Sequence, residues 1–321
     1  MELPCLAFHQ CDRSTPLFSA SEQKRIVAAG DMDEILKDKV VCPTAQGHLL
    51  VRDPATSETF LCNPRNGDKI THLPPLRGIE DSVLMDSHCL LSGEPTAPGC
   101  VVLLVEPGDT SIWYVHPGDD DDQWVKHDYD IGTVVLDHDE GIYDKDVICP
   151  IAACRGKFYF NSLSTELGVL EFCPGPVFSS IEIDDTVAFD GSYGYEDANK
   201  QGDVHLVESD GELYMVTLLC TNTRRDGIYG ASVHVMDFAE RRWGKVNHLG
   251  GRVFLLSLFY FGASCSGGGD RGLQKDCVYM VYPGKKALLV FDVKEGTIEM
   301  QNLGDEVPAS DKAFWVLPTN P

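Results

Sequence analysis

Apolar and polar residues alternate through residues 231–249, and this alternation predicts two strands joined by a tight turn. Val233, Val235 and Met236 belong to the first predicted strand, residues 238–242 to the turn, and Trp243, Val246 and Leu249 to the returning strand. Val233 and Val235 are two positions apart, so they lie on one face of the first strand. Asp237 enters the turn, where an aspartate side chain favours a bend. We therefore predict a β-hairpin.

The same outline recurs along most of the chain. Residues 60–73, 113–127, 170–183 and 289–303 each contain an apolar strand, a polar turn and a returning strand. The turns start at Asn63, Pro117, Pro174, Asp237 and Asp292, so successive spacings are 54, 57, 63 and 55 residues. Repeats of this length are typical of structural arrays and propellers.

Two further strand-like segments precede each hairpin, so the repeating unit contains four strands. Four antiparallel strands at this period predict the blade of an all-β propeller. The units span residues 40–76, 82–128, 146–184, 203–249 and 251–303 of a single domain that covers residues 1–321. Residues 1–20 and the aromatic segment 312–318 are predicted to close the ring as a composite sixth blade, because an open sheet edge needs a partner. Five blades with a simpler closure is the alternative.

The segments between the predicted strands are less regular. Residues 21–37 could form one or two helical turns, although Gly30 and Asp31 interrupt the pattern. Residues 78–86 are expected to be a link, 131–146 an acidic loop between blades and 264–272 a flexible loop. Residues 184–202 form a long polar insertion, in which Tyr193 and Tyr195 could contact a partner or pack within the loop.

The charge of the chain restricts its partners. Fifty acidic residues against 26 basic ones give a net charge of −24, while 43% of residues are apolar, enough for a large core. This charge disfavours nucleic acid and anionic membranes, since phosphate groups would be repelled. A partner with a basic surface fits better, and the adjacent Arg224 and Arg225 are expected to be solvated. The longest apolar run, 253–263, is too short to span a bilayer.

The twelve cysteines are scattered through predicted strands and show no CxxC pair or zinc-ligand spacing. No signal peptide is recognised at the N-terminus. These features favour reduced, buried thiols and a cytoplasmic and/or nuclear location. The cysteines are Cys5, Cys11, Cys42, Cys62, Cys89, Cys100, Cys149, Cys154, Cys173, Cys220, Cys265 and Cys277.

Candidate chemical motifs fail on their spacing. In the acidic segment 137–146, Gly141 falls at the fifth position from Asp137, and a calcium loop lacks its closing glutamate. The glycine-rich segment 264–272 has no following Lys-Ser/Thr, and a hydrolase elbow over 262–266 is broken by Ser266. The run Asp119–Asp122 is expected to be a solvated turn. We therefore predict no catalytic, metal-binding or cofactor-binding residues and no cofactor, and binding residues stay unassigned.

Several motifs together resemble one plant family. The resemblance is carried by residues distributed along the whole chain: Leu61, Asn63 and Pro64; Leu73-Pro74-Pro75; LVESDGEL at 206–213; Val233, Asp237, Trp243, Val246, Leu249 and Gly250; Cys277-Val278-Tyr279; and FWVLP at 314–318. The family is the KIB-type β-propeller domain family, a domain of unknown function often found behind an F-box. The resemblance implies a propeller that recognises substrates for ubiquitination.

The matching residues have structural and functional interpretations. Glu208 ends a predicted strand, where it could hydrogen-bond the adjacent turn or serve as a functional carboxylate. Trp124 and Trp243 hold corresponding places in two returning strands, which favours packing between blades over a ligand cage. The chain departs from the family at His48, where Gly-His-Leu replaces the common Gly-Trp-Leu. The propeller pattern also starts almost at Met1, so no F-box is expected.

The leading hypothesis is a monomeric, non-enzymatic protein-recognition module, a substrate-recognition or adaptor relative of F-box/propeller receptors. One alternative is a metal-dependent hydrolase that uses the central channel, with Asp139 or Glu208 as a metal ligand or general base. Another is a degenerate structural copy without a partner. The sequence names neither the partner nor the propeller face that binds it.

Overall fold

The computed structural model describes residues 4–8, 15–26, 37–64, 68–118, 123–137, 142–163, 165–184, 201–220, 228–257, 260–268, 272–282, 285–307 and 313–317. Strands dominate these ranges, and one short helix, α1, spans Asp81–Asp86. The strands in the first half are β1 Cys5–Phe8, β2 Leu17–Ser19, β3 Lys24–Ile26, β4 Val40–Pro43, β5 Leu49–Arg52, β6 Thr59–Cys62, β7 Lys69–Leu73, β8 His88–Leu91, β9 Val102–Val105, β10 Ser111–Val115, β11 Val125–Asp128, β12 Thr133–Asp137 and β13 Ile142–Lys145.

The second half continues the pattern with longer strands. They are β14 Ile151–Cys154, β15 Lys157–Leu163, β16 Glu166–Phe172, β17 Pro176–Glu182, β18 Gln201–Ser209, β19 Glu212–Cys220, β20 Ile228–Asp237, β21 Arg242–Lys245, β22 Arg252–Ser257, β23 Tyr260–Ser266, β24 Cys277–Tyr282, β25 Ala287–Asp292, β26 Thr297–Asn302 and β27 Ala313–Val316.

Six sheets form the blades of a propeller, which confirms the predicted fold class. The first four blades are antiparallel sheets of four consecutive strands: β4–β7, β8–β11, β14–β17 and β18–β21. The sixth blade has the order β27-β1-β2-β3, so the C-terminal strand pairs with the N-terminal one. This composite sheet closes the ring, because β27 and β1 satisfy each other's backbone hydrogen bonds.

The predicted hairpin turns form where the sequence has an aspartate. Asp237 Oδ1 accepts hydrogen bonds from the backbone N–H groups of Ala239 and Glu240, at 2.9 and 3.0 Å. Asp292 Oδ1 makes the same contacts with Lys294 and Glu295, at 3.0 and 2.9 Å. A side chain that bonds its own turn replaces the missing ladder bonds of the bend. The hairpin turns of the fourth and fifth blades therefore form for the same physical reason.

Four connecting segments differ from the sequence predictions. Within 21–37, Lys24–Ile26 is the strand β3 rather than helix, because pairing with β2 satisfies an otherwise open edge; residues 27–36 lie outside the described ranges. The acidic segment 131–146 contains the two-stranded sheet β12-β13 instead of only a loop. The link before β8 contains α1, and residues 264–266 continue the strand β23 rather than beginning a loop.

Within the described ranges, the fifth blade has five strands and each of the other five blades has four; its order is β23-β22-β24-β25-β26. β22 runs parallel to β24 and antiparallel to β23. The largely apolar run of residues 253–263 therefore contains the end of one strand and the start of another, with Ser257 at the end of β22. This extra strand lies at the inner edge of the sheet, which determines the shape of the channel.

Neighbouring blades pack through apolar side chains from both sheets. Trp243 of β21 is 5% exposed and belongs to a cluster with Tyr159, Leu167 and Val169 of the third blade. Trp124, which precedes β11, packs on the first blade and donates from Nε1 to the Pro74 carbonyl oxygen at 2.9 Å. Both tryptophans thus pack between blades, as their equivalent sequence positions predicted.

Candidate binding site at the channel mouth

Strand β23 occupies the centre of the propeller. It lies against β18, where a Cβ atom on Gly262 would be 2.5 Å from Val207 Cγ2 and 2.9 Å from the Leu206 carbonyl oxygen. On its other side, the ring of Phe261 meets the ring of His88 edge-on, with centroids 6.3 Å apart. Only a residue without a side chain permits this backbone approach. β23 therefore fills the axis and separates the two ends of the channel.

One end of the channel is a depression of about 390 Å³, which we call the turn-face depression because the first two strands of blades one to four are joined there. All six blades contribute to its wall. One residue from each blade, in order from the first to the sixth, is His48, Glu94, Arg155, Glu208, Arg252 and Leu317. A site with contributions from every blade is held by the whole fold rather than by one loop.

A network around Arg252 connects the fourth and fifth blades at this depression. The Arg252 guanidinium donates to Ser264 Oγ at 3.2 and 2.9 Å and pairs with Asp210 Oδ1 at 3.0 Å. The Ser264 hydroxyl also lies 2.8 Å from the Ser209 hydroxyl. Since these contacts connect β18, β22 and β23, they fix the floor of the depression. Arg252 is already bound within the protein.

The tight turn between β18 and β19 organises the wall contributed by blades three and four. Glu208 Oε1 accepts a hydrogen bond from Gly211 N at 2.7 Å. The Gly211 carbonyl oxygen accepts from Arg155 Nε at 2.6 Å and from the Cys154 thiol at 3.6 Å. The Arg155 guanidinium also lies over the Phe238 ring, 5.4 Å from its centroid. Glu208 thus stabilises its turn, as its position at a strand end predicted, and one carboxylate oxygen remains beside the depression.

His48 lines the depression from the first blade. Its side chain is buried, with 7% exposure, and its Nδ1 atom has no hydrogen-bond partner. Burial lowers the pKa of His48, and the nearby Glu94 carboxylate opposes that shift in part. The imidazole is therefore neutral at pH 7, with one ring nitrogen as acceptor and one as donor. A buried polar atom without a partner is rare in folded proteins and needs an explanation.

The channel's other end is a second depression of about 410 Å³, closed below by Phe261 and Gly262. His205 Nε2 lies 3.4 Å from Asp203 Oδ2 there, and both side chains are largely buried. His88 also lines this depression and contacts Phe261. Fewer blades contribute here, and the polar residues Asp203 and His205 lie close to each other. The turn-face depression is therefore the stronger candidate site.

The family model described as KIB1-4 beta-propeller matches residues 17–304. The chain belongs to this family. The match covers most of the chain, including all or part of each blade, and agrees with the resemblance carried by the sequence motifs. A comparison with curated proteins finds no match.

The chain is also similar to several solved structures. Hsv2 from Kluyveromyces lactis, with loop 6CD replaced by a Gly-Ser linker, is 11% identical over 82% of this chain and 65% of its own length, with a TM-score of 0.33. The KIB1-4 chain thus spans slightly less than two thirds of that protein. A functionally unknown protein from Desulfotomaculum acetoxidans is 9% identical over 99% and 100%, with a TM-score of 0.43.

A third structure, a protein from Lactobacillus plantarum, is 10% identical over 98% of this chain and 99% of its own, with a TM-score of 0.38. Because these TM-scores lie below 0.5, no statement about the function of the KIB1-4 chain follows from these structures.

Several residues considered from the sequence lie outside the described ranges. These are Asp119–Asp122, Asp139, Glu140 and Gly141, Tyr193 and Tyr195, and Arg224 and Arg225. At the described end of the acidic segment, Asp144 Oδ1 and Asp146 Oδ1 accept hydrogen bonds from the backbone N–H groups of Lys145 and Val147. Those carboxylates stabilise local backbone.

The described residues contain neither a candidate metal centre nor a candidate membrane-spanning helix. Among them, no group of three or more His, Cys, Asp or Glu side chains is arranged to hold a metal ion. In the same ranges, no helix has the length and apolar character needed to cross a membrane. Sequence reasoning missed Glu94 and Arg252 and singled out His48 only as a departure from the family; the three residues are far apart in the chain and are brought together by the ring of blades.

Proposed function

We propose that this KIB1-4 propeller is a protein-recognition module whose turn face binds a basic segment of another protein. The observation that carries the proposal is the convergence of all six blades on the turn-face depression, above a channel filled by β23. A concave surface with a few polar groups on a rigid scaffold is suited to binding. The strand β23 gives it a floor rather than an open channel.

Charge favours a basic partner. The chain carries a net charge of −24, which raises the rate of encounter with positively charged surfaces and suppresses encounter with acidic ones. At the depression itself, the three carboxylates Glu94, Glu208 and Asp210 outnumber the two guanidinium groups Arg155 and Arg252. The depression and the whole chain therefore both carry a net negative charge.

The family suggests a cellular role for such binding. KIB-type propellers often stand behind an F-box, so the resemblance supports a substrate-recognition or adaptor role in ubiquitination. The scattered cysteines, of which the eleven described form no disulfide, favour action in the cytoplasm and/or nucleus, and we propose that the chain acts as a monomer. We propose this role for the turn face because it is the surface that the whole ring builds.

The central-channel hydrolase is the weaker proposal. It requires an open channel with converging catalytic groups, whereas β23 fills the axis beside β18. Glu208, one of its candidate bases, already accepts a hydrogen bond from Gly211 N. A carboxylate that holds a turn in place is poorly suited to exchange protons with a substrate.

The test is selection of short peptides that bind the purified protein from a random displayed library. We expect selected sequences to be rich in lysine and arginine and to bind more weakly as salt is raised. The variant Glu94→Lys reverses the charge of an exposed residue and should weaken the binding of the selected peptides at least tenfold. Glu299→Lys makes the same change on the outer strand β26 and should have little effect. Acidic selected sequences, or equal losses in both variants, would contradict the proposal.

A further inference from the structure

The turn-face depression is lined by a residue with an unpartnered polar atom. His48 Nδ1 is buried and has no hydrogen-bond partner, although the imidazole lines an open depression of about 390 Å³. A buried polar group is stabilised when a donor or acceptor reaches it. The His48 ring borders this space, so a ligand group in the depression would contact the imidazole, while Nδ1 itself faces the protein interior. The sequence Gly47-His48-Leu49 also has a smaller ring here than the tryptophan common in the family.

The charged groups around this space indicate which ligand fits. Arg252 is bound to Asp210 and Ser264, and Arg155 is bound to the Gly211 carbonyl oxygen and stacked on Phe238. Both guanidinium groups are therefore engaged by the protein itself. Among the acceptors, Glu94 and the second oxygen of Glu208 border the depression. An anionic ligand would have to compete for the arginines, whereas a hydrogen-bond donor would meet available acceptors.

The acceptors reach the depression from several directions. His48 belongs to the first blade, Glu94 follows the inner strand of the second, and Glu208 ends the inner strand of the fourth. A planar guanidinium presents five N–H donors spread around its edge, whereas an ammonium presents three on one compact group. Acceptors distributed over three blades match the wider donor set.

We infer that the turn-face depression is a pocket for one arginine side chain of the partner, with His48 as the residue that determines this specificity. The inference rests on the proposed function, because it names the group that a basic partner inserts. The arginine would donate to the His48 imidazole and to the carboxylates of Glu94 and Glu208. The other basic residues of the partner would contact the surrounding acidic surface.

The test uses a small probe, N-acetyl-arginine methylamide, titrated into the purified protein and followed by NMR or calorimetry. One side chain without its flanking peptide should bind with a Kd of roughly 1 mM. The citrulline analogue keeps the shape but lacks the charge and two of the five N–H donors, so it should bind at least tenfold more weakly. The corresponding glutamate derivative should show no saturable binding. Equal binding of arginine and citrulline probes, or tighter binding of glutamate, would overturn the inference.

Three variants complete the test. His48→Trp fills the depression with the ring common in the family and should weaken the arginine probe at least tenfold. Glu208→Gln keeps an acceptor for Gly211 N but removes the charge, so it should weaken the probe several-fold. His234→Phe is the matched control, because His234 is also buried with an unpartnered Nδ1 but lies in β20, away from the depression. Thermal unfolding would verify that each variant is folded.

The outcomes distinguish this inference from the proposed function. One outcome is that Glu94→Lys weakens the binding of basic peptides while His48→Trp binds them as tightly as the wild type does. This result would overturn the arginine pocket but would support protein recognition. A His48-dependent arginine probe, combined with no selectable peptide partner, would support the pocket and contradict protein recognition through the turn face.

Discussion

The backbone of Gly262 lies so close to Leu206 that a Cβ atom at position 262 would be only 2.9 Å from the Leu206 carbonyl oxygen. This contact joins an extra strand of the fifth blade to the inner strand of the fourth. It explains how β23 fits inside the ring, since a side chain here would push the two backbones apart. The floor of both channel depressions depends on it, because Phe261 and Gly262 line one and Ser264 lines the other.

Gly262→Ala should therefore destabilise the protein by about 1–3 kcal/mol, the usual cost of overpacking a core. The added methyl group would collide with Val207 and with backbone that cannot move independently. Urea unfolding gives the free energy. Gly175→Ala is the control, because a Cβ atom there meets nothing within 4 Å, and it should change stability by less than about 0.5 kcal/mol. Equal stability of the two variants would mean that β23 is not seated against β18.

Trp243→Ala should cost about 3–5 kcal/mol, because truncating a large buried aromatic side chain leaves a cavity. Trp243 packs between the third and fourth blades and is almost inaccessible to solvent. Chemical denaturation of the variant and the wild type measures the loss. Trp243→Phe should lose less, since it keeps part of the apolar contact. A Trp243→Ala protein of unchanged stability but impaired binding would instead identify Trp243 as a contact residue.

All twelve cysteines should titrate as free thiols in denaturant without reductant. None of the eleven described cysteines forms a disulfide, and of these only Cys173 is exposed. In the native protein, Cys173 should therefore react with a thiol reagent before the other ten. Burial raises the pKa of Cys5 and Cys149 to about 12, which makes their reactive thiolates scarce at neutral pH. Eight or more thiols blocked as disulfides would contradict both the thiol prediction and the proposed location.

Stability should fall as the pH is lowered from 7.5 to 5.5. Burial lowers the pKa of both His48 and His234 below the usual 6.5, so in this range the unfolded chain binds protons more readily than the folded protein. Each neutral histidine contributes its full share to the free energy of unfolding above pH 6.5. That contribution is lost as the pH falls toward the pKa of the histidine in the folded protein. Urea unfolding at several pH values measures this slope.

The variant His234→Phe should show a smaller decrease between pH 7.5 and 5.5, because one of the two buried histidines is gone. The lowered pKa of Asp53, caused first by its hydrogen bond with Lys39, acts below pH 4 and does not affect this window. A wild-type protein that is more stable at pH 5.5 than at 7.5 would contradict the prediction.

Purified protein should carry no stoichiometric, tightly bound metal and should not hydrolyse panels of esters, lactones or glycosides. The described residues contain no group of three ligating side chains arranged for a metal, and β23 fills the channel that a central active site would need. Elemental analysis after extensive dialysis, together with the substrate panels, is the measurement. One equivalent of calcium or zinc with metal-dependent turnover would make the hydrolase the better proposal.

The repeating architecture was predictable because its determinants are local. Asp237 and Asp292 bend the chain through hydrogen bonds to residues two and three positions later, so the turn is encoded within a few residues. Alternating apolar residues beside those turns place one face of each strand in the core. The positions of Trp124 and Trp243 in equivalent returning strands likewise predicted packing between blades. Local spacing was sufficient for the blade, its repetition and its tryptophans.

The fifth blade's extra strand could not be read in the same way. Residues 253–263 are apolar apart from Ser257 and Gly262, and such a run does not show which edge of the sheet its second strand will join. The strand β3 was also missed, because Lys24–Ile26 has no strong strand preference and is held by pairing with β2. These elements exist because a neighbouring backbone satisfies their hydrogen bonds, and the neighbour is not encoded in their own residues.

The sequence by itself determined the family, the four-stranded repeat and the acidic character of the surface, since each follows from motifs, spacing or composition. Only the tertiary structure decided that His48, Glu94, Arg155, Glu208 and Arg252 surround one depression. Those residues are separated by tens to more than a hundred positions, and no local pattern relates them. Closure of the ring brings the end of each inner strand to the same axis, and this long-range geometry creates the candidate site.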